Sequence, residues 1–144
     1  MTRDTDPAGR VLGLDLGDVR IGVAISDPER RLAVPFGTVH VGRPPGELKA
    51  IAALVQDNDV ALIVVGHPLL LSGEAGDRAK HAEAFAEALR MLLRAPVVLQ
   101  DERLSTVEAD RALRRAGATG RERRRAVDRS AATVILQAFL DAAR

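Results

Sequence analysis

The chain has 144 residues, 47% of them hydrophobic, with three aromatics, no Cys, Trp or Tyr, and a formal net charge of +1. That length suits one core built from Ala, Val, Leu and Ile, and the composition excludes disulfides and thiolate metal sites. No apolar run approaches the ~20 residues of a membrane-spanning helix, and Met1 to Arg10 is polar with no apolar signal core, so a soluble intracellular protein is expected, with a disordered tail over 1–10 and one domain over 11–144.

Val11 to Asp27 carries the first elements. Leu12, Leu14 and Leu16 alternate with Gly13 and Asp15, and Gly17-Asp18 is a turn signal before the apolar run Ile21 to Ile25, which together predict a β-hairpin. Arg31 to Val41 reads as a third strand, placed at an edge or carrying a bulge because of Pro35 and Gly37. Leu48, Ile51, Ala52, Leu54 and Val55 recur at helical spacing, and Val60 to Val65 is the uninterrupted β-branched run of a buried parallel strand. Gly73 to Arg94 is the longest helical stretch, with Ala79, Ala82, Phe85, Ala86, Leu89, Leu92 and Leu93 on one side. Val97 to Leu99 is a short strand that runs into Gln100-Asp-Glu-Arg103. Ser105-Thr-Val-Glu108 fits a capping box, so a helix is expected from there to before Gly117, followed by a basic connector, Gly117 to Arg125, and a last helix over Ala126 to Ala142.

The order β-β-β-α-β-α-β-α-α, with right-handed crossovers, predicts an α/β fold. Its central sheet is mixed and five-stranded, an antiparallel meander plus parallel strands, with helices on both faces. This arrangement resembles the ribonuclease H-like fold.

Ligands of open α/β sheets bind beyond the carboxyl ends of the parallel strands. Asp15 lies near that end of the first strand and Asp101 with Glu102 at that end of the fifth. An ionised carboxylate inside an apolar strand is costly unless a cation or hydrogen-bond donors meet it. Asp15 could instead serve the Gly17-Asp18 turn, Glu102 could pair with Arg103, and Asp101 could anchor the helix that follows. In the last helix Asp128 falls in line with Ala132, Ile135 and Phe139, on the core-facing stripe, although an acid there also suits the positive end of a helix dipole. Carboxylates converging from three elements repel unless cations balance them, and oxygen donors without Cys or a His cluster select Mg²⁺ or Mn²⁺. Such a site activates water for in-line attack on a phosphodiester. His67 and His81 read as structural or exposed.

Charge is unevenly spread. Between Arg111 and Arg129 stand eight Arg against Glu122 and Asp128, a patch suited to phosphate contacts. The candidate nucleic-acid-binding residues are Arg20, Arg103, Arg114, Arg115, Arg121, Arg123, Arg124 and Arg125.

Four stretches together resemble the YqgF/RuvX family, ribonuclease H-like bacterial proteins regarded as pre-16S rRNA nucleases or Holliday junction resolvases. They are Gly13-Leu-Asp-Leu-Gly-Asp-Val-Arg-Ile-Gly-Val-Ala-Ile-Ser-Asp27, Val64-Val-Gly-His-Pro-Leu69, Asp101-Glu-Arg-Leu-Ser-Thr106, and Val127-Asp-Arg-Ser-Ala-Ala132 leading into Ile135-Leu-Gln137 and Leu140-Asp141. The resemblance implies that Asp15, Glu102 and Asp128 are metal-binding catalytic carboxylates, with Asp101 a further candidate ligand. It also implies a cytoplasmic location and makes a homodimer plausible, because resolvases of this fold cut symmetric junctions in pairs. The chain departs from the family pattern at Val19, where Lys is frequent, at His67, where an apolar residue is usual, and at Leu70 and Ser72, which are more often polar or acidic. The expected function is metal-dependent endonucleolytic cleavage of structured nucleic acid in 5′-end maturation of pre-16S rRNA. The alternatives are nicking of four-way DNA junctions in recombination and repair, and a non-catalytic ribosome-assembly module that binds nucleic acid. Actin-like ATPases and sugar kinases share the opening Asp-x-Gly hairpin, but they enclose a nucleotide between two such lobes.

Overall fold

The computed structural model describes residues 9–103 and 120–143, with side chains described except over 120–130. Among these residues five strands and three helices follow in the order β1 (Arg10–Leu16), β2 (Arg20–Ser26), β3 (Ala33–His40), α1 (Gly46–Asp57), β4 (Val60–His67), α2 (Asp77–Leu92), β5 (Val97–Asp101) and α3 (Gly120–Ala142). The sheet order is β3-β2-β1-β4-β5, antiparallel across β3, β2 and β1 and parallel from β1 through β4 to β5. The expected mixed sheet is therefore present, with β3 at one edge. Its pairing shifts register between Gly37 opposite Val23 and Pro35 opposite Ala24, leaving Phe36 as the extra residue of a bulge.

Alternation along β1 divides the core in two. Leu12 and Leu14 face one layer, where Ile51 and Val55 of α1 and Ala82, Phe85, Ala86 and Leu89 of α2 pack. Val11 faces the other, with Val64, Ala132, Ile135, Leu136 and Leu140. Gly13 lies on this second face, and a Cβ there would stand 2.7 Å from Leu136 Cβ, so the absence of a side chain sets how closely α3 approaches the sheet. Among the described residues no helix is long and apolar enough to cross a membrane.

Four sequence expectations are corrected. Arg10 belongs to β1 and donates its backbone N–H to Asp59 O at 2.9 Å, and Gly9 O accepts from Arg30 Nε at 3.0 Å, so the fold takes up the last two residues of the expected tail, whose residues 1–8 lie outside those described. β4 and β5 run two residues further than expected, to His67 and Asp101, because their parallel ladder continues to the His67–Asp101 pair. The backbone of α3 is helical from Gly120, so Gly120 to Arg125 is helix, not connector: Arg and Glu are good helix formers whatever their charge. Leu92, expected in the core, is 52% exposed at the last turn of α2. The helix expected from Ser105 lies outside the described residues.

Candidate active site at the strand ends

Asp15 is the penultimate residue of β1 and projects on the face that α3 covers. Opposite it on β2 stands Gly22, where a Cβ would lie 3.7 Å from both Asp15 Cβ and Ala132 Cβ. The β1–β2 turn closes without Asp15, through Gly17 N–H donating to Arg20 O at 3.1 Å. Turn duty in the same stretch falls to Asp27, whose Oδ1 accepts the backbone N–H of Leu32 and of Arg31, both at 2.8 Å, holding its carboxyl below the usual range. Burial instead pushes the Asp15 carboxyl up, opposed by the Arg78 guanidinium.

Glu102 follows β5 and turns its carboxylate over β4. A Cβ on Gly66 would meet Glu102 Oε2 at 2.6 Å and Ile135 Cδ1 at 2.8 Å, so the missing side chain at residue 66 is the seat that the carboxylate occupies. Glu102 N–H donates to His67 O at 3.2 Å, fixing the backbone as it leaves the strand. Burial raises the Glu102 carboxyl to about 7, helped by the negative charges of Asp15 and Asp101 and opposed by Arg78. Two half-buried carboxylates, each harder to ionise than usual, thus sit together at the carboxyl ends of β1, β4 and β5.

Asp101 departs from the expectation that it joins them. Neighbouring residues of an extended chain point to opposite faces, and the Asp101 carboxylate turns to Arg103. Arg103 Nη2 donates to Oδ2 at 2.7 Å, Nε to the same oxygen at 3.0 Å, and the backbone N–H to Oδ1 at 2.9 Å. This pairing holds the Asp101 carboxyl below its usual range. It also commits Arg103, expected to contact nucleic acid, to an intramolecular partner. The pairing with Arg103 that was the alternative reading of Glu102 is made by Asp101. His67 likewise lies away from the carboxylate pair, with Nε2 2.7 Å from Glu83 Oε2 of α2.

Asp128 lies in α3, one turn before Ala132. Ala132 packs near Asp15 and Gly22, while Leu136, one turn later, packs on Gly13, so α3 runs antiparallel to β1 and its backbone carries position 128 toward the strand ends. The Asp128 side chain lies outside those described, as do the side chains of Arg121, Arg123, Arg124 and Arg125 and all of Arg114 and Arg115. Arg20 is exposed at the start of β2, across from His40.

A cleft of about 210 Å³ opens beside Glu102, bounded by Leu16 and Gly17 of the β1–β2 turn, by Gly66, and by Arg78 and His81 of α2. Gly66 and Arg78 are site residues that the sequence reading did not single out. A glycine closing an apolar β4 run was the available signal for the first. The second had none beyond its place in the first turn of the helix after β4.

The model of the RuvX family, described as Holliday junction resolvase, matches residues 9–142. A relative from Mycobacterium leprae named "Putative pre-16S rRNA nuclease" is 47% identical over 146 residues, covering 100% of this chain and 79% of its own. One of the same name from Roseiflexus sp. is 43% identical, covering 94% and 96%. Among solved structures, Thermus thermophilus RuvC aligns with a TM-score of 0.52 at 14% identity, covering 93% of this chain and 95% of that one. The same protein in complex with a Holliday junction substrate aligns with a TM-score of 0.50 at 13% identity, covering 94% and 95%. The RuvC likeness is one of fold, whereas the relatives and the family model span nearly the whole sequence, and the chain belongs to the RuvX family.

Proposed function

We propose that the protein is a divalent-metal-dependent endonuclease that hydrolyses phosphodiester bonds in structured nucleic acid, and that it acts in 5′-end maturation of pre-16S rRNA in the cytoplasm. The observation that carries this reading is the seating of Glu102 over Gly66 beside Asp15. Oxygen donors brought together at a cleft, each resisting ionisation, form a set that a hard cation satisfies better than protons do. The names of the full-length relatives support the rRNA assignment.

Asp15, Glu102 and Asp128 would hold Mg²⁺ or Mn²⁺, which when bound polarises the phosphoryl group and supplies an activated water. The chain's own part is positional. Gly66 leaves room for the Glu102 carboxylate, the β1–β2 pairing fixes Asp15, and α3 brings position 128 to the same end of the sheet. Glu102, with its carboxyl raised to about 7, would have to give up its proton to hold a cation, so occupancy should rise with pH through neutrality. The arginines of 111–125 would bind flanking phosphates by charge.

A second reading, resolution of four-way DNA junctions by a homodimer, is favoured by the description of the matching family model. The test is cleavage, with Mg²⁺ or Mn²⁺, of a four-way junction and of a structured rRNA-precursor 5′ segment side by side, with Asp15→Asn as control. RNA cleavage lost in Asp15→Asn is the expected outcome. Symmetric nicking of the junction alone would replace the first reading with the second, and cleavage that persists in Asp15→Asn would sink both. Binding of both substrates without cleavage would favour a non-catalytic assembly role.

A further inference from the structure

Arg78 borders the cleft that Glu102 lines. It stands in the first turn of α2, on the rim of the cleft across from Glu102, and its side chain is exposed. Among the described residues its hydrogen bond is weak: Nη2 lies 3.5 Å from Leu16 O, at the outer limit. Nearby arginines are placed differently. Arg103 grips both oxygens of Asp101, and Arg90 donates through Nε and Nη2 to Val97 O at 3.1 and 2.8 Å. Among the described residues Arg78 is thus only lightly engaged, and it brings a planar fork of donors to the mouth of a cleft that Glu102 lines. Its charge is felt by both Asp15 and Glu102.

We propose that Arg78 is a substrate-contacting residue of this site, binding the non-bridging oxygens of a phosphodiester that enters the cleft beside Glu102. The inference rests on the nuclease reading for the identity of the substrate. A guanidinium matches two phosphate oxygens with two parallel N–H donors, which an ammonium cannot do. The carboxylates draw in cations and repel a phosphate, so a fixed positive group on the opposite rim offsets that repulsion where the strand must approach. The same group explains how an acidic cleft can admit a polyanion. His81, one turn further along α2, lines the same rim, but an imidazole cannot offer two parallel N–H donors to one phosphate.

The experiment uses the full chain and two probes, a four-way DNA junction and a structured rRNA-precursor 5′ segment, in Mg²⁺ buffer. Binding is measured against salt concentration in the Asp15→Asn background, and cleavage in the otherwise unaltered protein. Arg78→Gln should lower the slope of log affinity against log salt by about 0.7 to 0.9, the value of one phosphate contact. It should slow cleavage roughly ten- to a hundredfold, as losing a charge-assisted hydrogen bond does, in a protein that still unfolds cooperatively. Arg78→Lys should restore the salt slope but only part of the cleavage rate. Lys80→Gln, an exposed cation on α2 outside the cleft lining, controls for loss of charge in general. An unchanged slope in Arg78→Gln, or an equal change in Lys80→Gln, overturns the proposal and leaves the carboxylate site untouched. If neither probe is cut but the slope still falls only in Arg78→Gln, the phosphate contact stands and the nuclease reading fails. If neither probe is bound, both fall.

Discussion

Replacing Gly66 by Ala adds one methyl group at the place where Glu102 rests. The new Cβ would stand 2.6 Å from Glu102 Oε2, 2.8 Å from Ile135 Cδ1 and 3.1 Å from the Glu102 carboxyl carbon. All of these atoms are ends of side chains, so the backbone can stay where it is. Ile135 is fully buried against Val64 and Leu136 and has little room, whereas Glu102 borders the cleft. Glu102 is therefore the group that yields, and its oxygen must retreat by about 0.8 Å to bring 2.6 Å to the 3.4 Å at which ordinary contact begins. Overpacking costs about 1–3 kcal/mol when a core must shift, and here the lower end applies because the displaced group can move toward solvent. A displacement near 1 Å in a catalytic group costs about a hundredfold in rate. Gly66→Ala should thus lose about 1 kcal/mol of stability while cleavage falls about a hundredfold. Thermal unfolding and single-turnover cleavage are the assays, with Gly42→Ala as control because no atom lies within 4 Å of a Cβ there. A folded Gly66→Ala protein that cleaves at the original rate would refute the reasoning, since Glu102 could not then be working from its seat over residue 66.

Gly13→Ala should behave in the opposite way, because its Cβ would meet Leu136 Cβ at 2.7 Å and Ala132 O at 3.4 Å, atoms fixed to the α3 backbone. We expect a loss of about 3 kcal/mol in denaturant unfolding as α3 is pushed off β1; an unchanged midpoint would count against that packing. Glu102→Gln tests the electrostatics in metal-free protein. With its pKa moved from 4.5 to about 7, Glu102 binds its proton more tightly in the folded state, so it lowers stability progressively as pH rises across that window. The Gln variant should match the parent at pH 4 and exceed it by about 2 kcal/mol at pH 8, a figure reduced from the full shift to allow for partial solvent exposure. Equal melting temperatures at pH 8 would show that Glu102 is not penalised by burial.

Asp15 was legible in the sequence because a strand's alternation is local: an acid flanked by Leu14 and Leu16 must face the opposite side from both. The parallel run Val60 to Val65 and the stripe of α2 were legible for similar reasons. The Asp101 and Glu102 pair was not resolved, since reading β5 as ending at Leu99 stopped the alternation that assigns the two acids to opposite faces. The start of α3 was misplaced because Gly117 to Arg125 has the charge density of a linker, while the helix responds to backbone propensity and needs no hydrophobic periodicity there. Gly66 and Arg78 escaped for a deeper reason. Close approach between residue 66 and residue 102, and a rim formed when α2 packs across strand ends, arise from tertiary geometry that neither residue's neighbours encode. Gln137 is a further case, since its Oε1 accepts from Ala33 N at 2.8 Å and its Nε2 donates to Arg31 O at 2.9 Å, contacts about a hundred residues away in sequence.

The bulge in β3 has a bearing on how copies of this chain can meet. A sixth strand laid along β3 would need an unbroken run of backbone donors and acceptors, and it would find Pro35 without an N–H and Phe36 out of step with the ladder. The first residue of the strand, Ala33, and Arg31 just before it are also already engaged by the Gln137 amide. At the far side of the sheet β5 offers only five residues. Both margins are thus poor templates for sheet extension, even though Val34 and Phe36 leave apolar surface near one of them. A pair of copies facing a two-fold symmetric substrate would be joined more readily through helices and loops than by a continuous sheet.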